Sequence, residues 1–331
     1  MLYNFTQAKI FWPIVALSVL LLLNSFLIPG FFSIQIKNGH LFGSLIDILN
    51  RVVPLLIIAI GMTLVIAKEG IDISVGSVLA ISGALAASIM ESSSVWVALL
   101  AAVIVGIICG LWNGILVAAF EIQPMVATLI LLTVGRGIAQ LITGGQILTI
   151  DNDIYRYLGS GFLFGLPFPI FMGAAVLLIM IYMKKRTAMG LFLESIGSNM
   201  TASKFAGIQP KKIILLVYTI CGVCAAISGI IVSANVSSAD ANNAGLWIEL
   251  DAILAVVIGG TSMRGGRYFL GGTVVGALFI QTLSTTIYSV GINPQIVMVV
   301  KAVVVIIVCL FQSEVFRKLF TQFKKQKVSL S

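Results

Sequence analysis

Six ionisable residues stand in otherwise apolar stretches of this chain: Asp47, Arg51, Arg136, Glu249, Asp251 and Lys301. Holding such a group at the centre of a bilayer costs at least about 2.5–3.5 kcal/mol, so each should face a cavity or an opposite charge. Asp47 and Arg51 are four apart and can pair along one helix. Glu249 and Asp251 open a short apolar element and Lys301 sits in the last apolar run, which fits an ion pair between helices better than substrate contact. Catalysis fails on inventory. The single histidine, His40, lies in a loop with no nucleophile or metal partner near it, and no Cys/His/Asp set has the spacing of metal ligands. No G-x-x-x-x-G-K-[ST] loop is present to cradle ATP phosphates. Cys221 and Cys224 have redox-motif spacing, but like Cys109 and Cys309 they lie in apolar runs, where a thiol acts as a small hydrophobe and implies no disulfide framework.

The elements that must position these residues are membrane helices. The chain is 59% hydrophobic and only 10% charged, with a mean hydropathy of +1.12, far from the even mix of a water-soluble domain. Its long apolar runs lack the period-two alternation of a membrane barrel, leaving helices of about 20 residues as the spanning unit. Breaks between the runs predict an all-α polytopic membrane protein of about ten transmembrane helices, near 11–28, 47–67, 73–90, 95–119, 124–142, 166–183, 213–233, 249–260, 268–290 and 294–312. The eighth is too short to cross alone and reads as a half-helix shielded by protein. Residues 1–331 form one transmembrane domain. The first run ends in Pro-Gly-Phe-Phe without a small-residue cleavage pattern, so it reads as a retained span and not as a secretory signal.

A net charge of +8 can mark a nucleic-acid binder, but here Lys and Arg cluster beside apolar runs, as on the cytoplasmic face of a membrane protein. No nucleic-acid partner is expected. An orientation with both termini inside places Lys9, Lys68, the Lys184-Lys185-Arg186 cluster, Lys204, Lys211, Lys212, Arg264, Arg267 and the tail residues Arg317, Lys318, Lys324, Lys325 and Lys327 in the cytoplasm. It leaves only Lys37 and Arg156 in clearly outer loops. The one long cytoplasmic connection, about 184–212, is too polar to span. Residues 202–206 suggest a short surface helix stopped by Gly207 and Pro210. Positive-inside bias accounts for its basic residues, whereas exposed Leu191, Phe192, Phe205 and Ile208 favour a docking surface, with Ser203 the expected point for cross-linking a partner.

Two glycine patterns differ in meaning. Gly106, Gly110 and Gly114 recur every fourth residue and read as close helix packing. The run GGTSMRGGRYFLGG has too many glycines for a helix, at about 1 kcal/mol each relative to alanine. Gly265 and Gly266 are therefore expected to provide positive backbone angles or close contact, with Arg264 and Arg267 holding the turn at the cytoplasmic side. Gly70 permits a tight turn, and Asp72, ahead of Ser74 and Gly76, is expected to cap a helix start.

The segment from Gly61 to Ser77, GMTLVIAKEGIDISVGS, resembles the signature of ribose-type sugar permeases of ATP-binding-cassette importers. Gly190 to Ile208 is similar to that family's coupling loop, which the resemblance thereby assigns to ATPase coupling through Glu194, Gly197, Asn199, Ser203 and Gly207. Leu250 to Gly272 resembles its glycine-rich segment. FGSLIDILNR at 42–51, GLWNGILVA at 110–118 and ADANNAGLWIELDAILAVVIGG at 239–260 look most like the galactofuranose permeases of bacteria. Lys68-Glu69 departs from the family, which has small or uncharged residues there. The resemblance implies a multi-pass inner-membrane subunit importing a monosaccharide by alternating access. Implied partners are a second permease, related or identical, a periplasmic sugar-binding protein and ATPase subunits that carry the ATP and Mg. This chain itself needs no cofactor and no metal.

A neutral sugar needs no counter-charge in its path, and aromatic and amide side chains suffice to contact its faces and hydroxyls. Asn235, Asn242, Asn243 and Trp247 fit the outer mouth of such a path, and fit equally the capping of a re-entrant turn. An ion-coupled secondary transporter is the main alternative, since broken helices with ionisable groups also mark that class. A membrane-embedded enzyme is a poorer one, for want of a nucleophile or metal site.

Overall fold

The computed structural model describes residues 10–312. Lys9 and the basic tail residues Arg317, Lys318, Lys324, Lys325 and Lys327, on which the orientation partly rests, lie outside the described residues, as does the Cys309 side chain. Each apolar run becomes a helix: α1 (Phe11–Leu27), α2 (Ser44–Ala67), α3 (Val75–Met90), α4 (Val95–Ala118), α5 (Pro124–Thr143), α7 (Phe168–Arg186), α10 (Pro210–Val236), α11 (Ile248–Ile258), α12 (Leu270–Ser289) and α13 (Pro294–Gln312). Six of these, α2, α4, α5, α7, α10 and α12, are long and apolar enough to cross a membrane. α1, α3 and residues 296–308 of α13 are apolar but shorter, and α11 has only 11 residues.

Three short helices, α6 (Asp153–Ser160), α8 (Ala188–Ser198) and α9 (Met200–Phe205), lie in the connections between them. The chain is not wholly helical. Antiparallel pairs of two or three residues form between β1 (Gln35–Lys37) and β2 (His40–Phe42), β4 (Phe162–Leu163) and β5 (Leu166–Pro167), and β3 (Leu148–Thr149) and β6 (Ser238–Ala239). Turns in short connectors produce the first two, β3 and β6 pair across distant connections, and no hydropathy pattern announces strands this short. His40 accordingly lies in β2, stacked on Phe162 at 4.3 Å between ring centroids.

α2 and α10 form the centre. α2 is apolar on every side and fully enclosed from Ile57 to Ala67, as expected of a helix surrounded by other helices. α10 packs along α4, α2 and α3, while α3 is gripped by α4 and α5. On the other side α11 and α12 pack together and onto α2, and α1 and α13 lie outermost against α12. Gly106 and Gly110 let α4 meet α10 backbone to backbone: a Cβ on Gly110 would stand 2.5 Å from the Tyr218 carbonyl oxygen. Cys109, Cys221 and Cys224 are buried in these contacts as free thiols.

The connections sort by charge. One end of the bundle, here the basic end, carries Lys68, the end of α7 with Lys184, Lys185 and Arg186, then α8 and α9, the Lys211-Lys212 start of α10, and the 259–269 turn with Arg264 and Arg267. Contacts prove that these segments share an end: Gly266 donates to Ala67 at the end of α2, and Lys184 reaches Glu194 and the Tyr268 carbonyl. The hairpin end carries the three strand pairs and α6, whose Arg156 pairs with Asp151 and Asp153.

Candidate functional site

The stretch from 184 to 212 is more ordered than its polarity suggests. α7 continues to Arg186, α8 is helical where the polarity suggests a loop, and α9 follows, started by Asn199, whose side chain accepts the Ala202 N–H at 2.9 Å. Gly207, at φ +84°, ends α9, and Pro210 begins α10. Leu191 and Phe205 stand 67% and 89% exposed, an apolar pair that polar flanks cannot explain. Phe192 and Ile208 are half-buried and border a depression of about 360 Å³ between them. Ser203 does not face outward as expected. It is buried and its hydroxyl donates to the Asn199 carbonyl at 2.9 Å, because the turn from α9 to α10 folds that face inward. Glu194 is drawn inward too, 3.1 Å from Lys184.

Gly197 ties this segment to the rest of the bundle. A Cβ there would lie 1.8 Å from the Ala67 carbonyl oxygen and 2.5 Å from the Gly266 nitrogen. That same carbonyl accepts the Gly266 N–H at 2.8 Å, and Gly265 and Gly266 hold φ of +74° and +86°. The close approach and the positive angles both demand glycine. Arg264 and Arg267 flank the turn and are exposed. Three backbone segments distant in sequence, 197, 265–266 and 67, thus meet at one point.

From Ala67 the chain runs directly into the 68–77 motif. Glu69 takes φ +68° to turn the chain, with Gly70 beside it under the Lys68 ammonium and the Tyr218 hydroxyl. Asp72 is buried, and its Oδ1 accepts from Ser74 N at 3.0 Å and Ser74 Oγ at 2.6 Å. This binds the turn to itself two residues ahead of α3 and is not the helix cap expected, since no side chain caps α3 at Ser74. Asn113 of α4 donates to Ser74 Oγ at 2.8 Å, and Thr128 of α5 accepts from Ile73 N at 3.3 Å, so the motif is locked to both neighbours. Lys68 is buried over the Tyr218 ring at 4.6 Å, and burial pulls its pKa down to about 8 against the opposing pull of Asp72. The sequence places Lys68 at the cytoplasmic side and marks it as a departure from the family; that it turns inward depends on Tyr218, far along the chain.

Gly76 brings the motif to the start of α11. A Cβ on it would stand 2.5 Å from Glu249 Oε2 and 2.6 Å from the Gly245 carbonyl oxygen. Glu249 is buried and its Oε2 has no hydrogen-bond partner among the described residues, whereas Asp251 receives Lys301 at 2.8 Å. The expected interhelical ion pair therefore forms with Asp251. Asp47 and Arg51 pair at 2.8 Å on the surface, as their spacing requires.

The four residues placed at an outer mouth do not act alike. Asn235 donates to the Gly159 carbonyl at 3.0 Å and fastens α6 to α10. Asn243 gives its amide to Asp240 Oδ2 at 2.7 Å, and that bond holds the Asp240 carboxyl below the usual carboxylate range. Asn242 and Trp247 remain exposed, the latter at φ +66°. Two residues of α5 join them: Arg136, one of the six ionisable residues in apolar stretches, donates to the carbonyls of Ala241 and Ala244 at 3.1 and 2.7 Å, and Gln140, which no local motif announces, donates from Nε2 to Asn242 Oδ1 at 2.8 Å.

This arrangement has known counterparts. The sequence profile described as branched-chain amino acid transport system / permease component matches residues 44–309. The chain is 51% identical to the galactofuranose transporter permease protein YtfT of Escherichia coli (strain K12) over 92% of its length and 91% of that protein's. It is 37% identical to the fructose import permease protein FruF of Bifidobacterium longum (97% and 92% covered) and 38% identical to the ribose import permease protein RbsC of Escherichia coli K12 (91% and 92%). No solved structure matches. With a profile covering most of the chain and sugar-permease relatives aligned over more than nine-tenths of it, the protein belongs to the permease-component family that includes the ribose-type import permeases.

Proposed function

We propose that the chain is the permease subunit of an ATP-binding-cassette importer that moves a monosaccharide, galactofuranose or a close relative, across the bacterial inner membrane by alternating access. The observation that carries this reading is the meeting of Gly197, Gly266 and Ala67. It joins the α8–α9 segment, with its exposed Leu191 and Phe205, to the 68–77 motif and the half-helix α11. A partner pushing on α8 and α9 would move both.

In this reading the basic end is cytoplasmic, about ten helices including the shorter ones cross or enter the membrane, and both termini lie inside. An ATPase subunit, holding ATP and Mg, docks on Leu191 and Phe205; a sugar-binding protein meets the hairpin end; and a second permease, related or identical, completes the path. The 51% identity with a galactofuranose permease supports the choice of sugar.

The test is co-expression with candidate ATPase and binding-protein subunits, purification in mild detergent and reconstitution. Sugar uptake should require ATP and the binding protein. Cross-linking from cysteines at exposed Ala202 or Lys204 should capture the ATPase, in place of buried Ser203. Uptake that persists without ATP while an ion gradient stands would establish ion-coupled transport instead.

A further inference from the structure

The segment between β6 and α11 is irregular backbone at membrane depth. Gly245 packs on Gly76 and Leu79, residues 14 and 11 before α3 ends at Met90, which places it about 16–21 Å below the hairpin end at 1.5 Å per residue. α11 then runs to the basic end in 11 residues, about 16 Å, roughly half the hydrocarbon thickness. The chain therefore descends from the hairpin end to mid-depth as turns before it becomes helical. Lipid cannot satisfy such backbone, so it persists only against protein or water. Arg136 supplies part of what lipid cannot, donating to the Ala241 and Ala244 carbonyls. Yet Asn242, Leu246 and Trp247 remain exposed on this chain, the last two at 50% and 48%. A surface of this kind at this depth is turned toward water or the second permease, not acyl chains, and its free amide groups favour water.

The chemistry on it is selective. Two of the nearby charges are engaged, Asp240 by the N–H groups of Asn242 and Asn243 and the Asn243 amide, Arg136 by carbonyls, and the third, Glu249, is buried behind Gly76 and off this surface. What stays available is the second half of two primary amides and an indole. In the Gln140–Asn242 bond, Gln140 Oε1 and Asn242 Nδ2 have no further side-chain partner among the described residues, leaving one acceptor and one donor side by side. An uncharged molecule with adjacent hydroxyls matches such a pair, and its C–H face matches Trp247.

Resting on the importer reading above, we infer that Gln140, Asn242 and Trp247 form a contact site for a neutral monosaccharide within the translocation path, reached from water along the outer half of α5. Asn235 and Asn243, tied to Gly159 and Asp240, are structural and do not read the sugar.

Two measurements on the complete importer test this. In proteoliposomes with saturating sugar-loaded binding protein, Gln140→Ala, Asn242→Ala and Trp247→Ala should each lower sugar moved per ATP hydrolysed by about 3–10-fold, the loss of one net hydrogen bond or its equivalent. They should also shift preference within a panel of labelled galactose, ribose and fructose, with ATP hydrolysis retained. Trp247→Phe should restore most of the uptake and Asn235→Ala should leave preference unchanged. Separately, in a background with Cys309 replaced by serine, Leu246→Cys should react with a membrane-impermeant thiol reagent in intact cells while Ile108→Cys, exposed in mid-α4, should not. Unchanged uptake per ATP and unchanged preference in all three alanine variants would overturn the sugar contact, and an unreactive Leu246→Cys would overturn the water-lined path. If the parent importer hydrolyses ATP yet takes up none of the sugars, the importer-substrate reading fails, while the thiol result still decides the path.

Discussion

Gly266 donates its backbone N–H to the carbonyl of Ala67 at 2.8 Å, closing the glycine-rich turn onto the last residue of α2. Gly197 lies across the same bond with no room for a methyl group. Gly197→Ala is expected to destabilise by about 1–3 kcal/mol, the ordinary cost of overpacking, and to cut ATP-driven uptake more than it cuts membrane abundance. Gly207→Ala is the matched control, since its Cβ would meet nothing within 4 Å and only its φ of +84° opposes it. Thermal unfolding and uptake measured on both variants decide; equal behaviour would show that the crossing carries no function.

Asp72 makes its shortest bonds through one oxygen, Oδ1, to the Ser74 nitrogen and hydroxyl, with the Asn113 amide at 3.5 Å on the same oxygen and the Cys221 thiol also bonded to the carboxyl. Asn supplies the same acceptor, so Asp72→Asn should assemble and transport much like the parent. Asp72→Ala leaves buried donors unpaired, at about 1–3 kcal/mol for each orphaned group, and should be poorly recovered from membranes. Lost transport in a well-assembled Asp72→Asn variant would mean that the negative charge itself is needed.

Lys68 gives a signed pH dependence. Its pKa in the fold is near 8, below the ordinary lysine value of 10.5, so between those values the unfolded chain binds more protons than the folded one. Folded stability attributable to this group therefore rises with pH across that window and is flat below it. Comparing unfolding of the parent and Lys68→Met from pH 7 to 10 should show a rise of about 1–3 kcal/mol in the parent that the variant lacks. Parallel curves would place Lys68 in water.

The Lys301–Asp251 pair, 2.8 Å apart, is a small part of what holds α13 to α11 but the charged part of it. Lys301→Met alone leaves Asp251 uncompensated and should lower the unfolding temperature, with about 3–5 kcal/mol as the ceiling set by fully buried pairs. Adding Asp251→Leu should recover most of the loss. If the double variant is no better than the single, the lysine acts elsewhere.

Much of this fold was legible because a bilayer permits few solutions. Apolar runs and their breaks account for every long helix within a few residues, and the four-residue spacing of Gly106, Gly110 and Gly114 announces a close helix contact on α4, though not that α10 makes it. An ion pair from Lys301 to the start of α11 was legible for the same reason, though the choice of Asp251 over Glu249 was not. The inward turns of Lys68, Glu194 and Ser203 were not, since each depends on a residue or fold-back that no local pattern encodes. Gln140 escaped notice because an amide near a helix end looks like an interfacial residue until Asn242 is seen to descend beside it.

The backbone contact between α4 and α10 has a mechanical consequence. Gly222 would place a Cβ 2.2 Å from the Gly106 carbonyl oxygen, and Gly106 one 2.6 Å from Ala226 Cβ, so each helix sits in a notch of the other. Sliding one past the other by a turn would drive side chains into peptide groups. The pair acts as a strut, and conformational change in this subunit must be absorbed elsewhere. The yielding joint is α13, which among the described residues is held to α11 across the Lys301–Asp251 pair and lies against α12 and α1 through apolar contact.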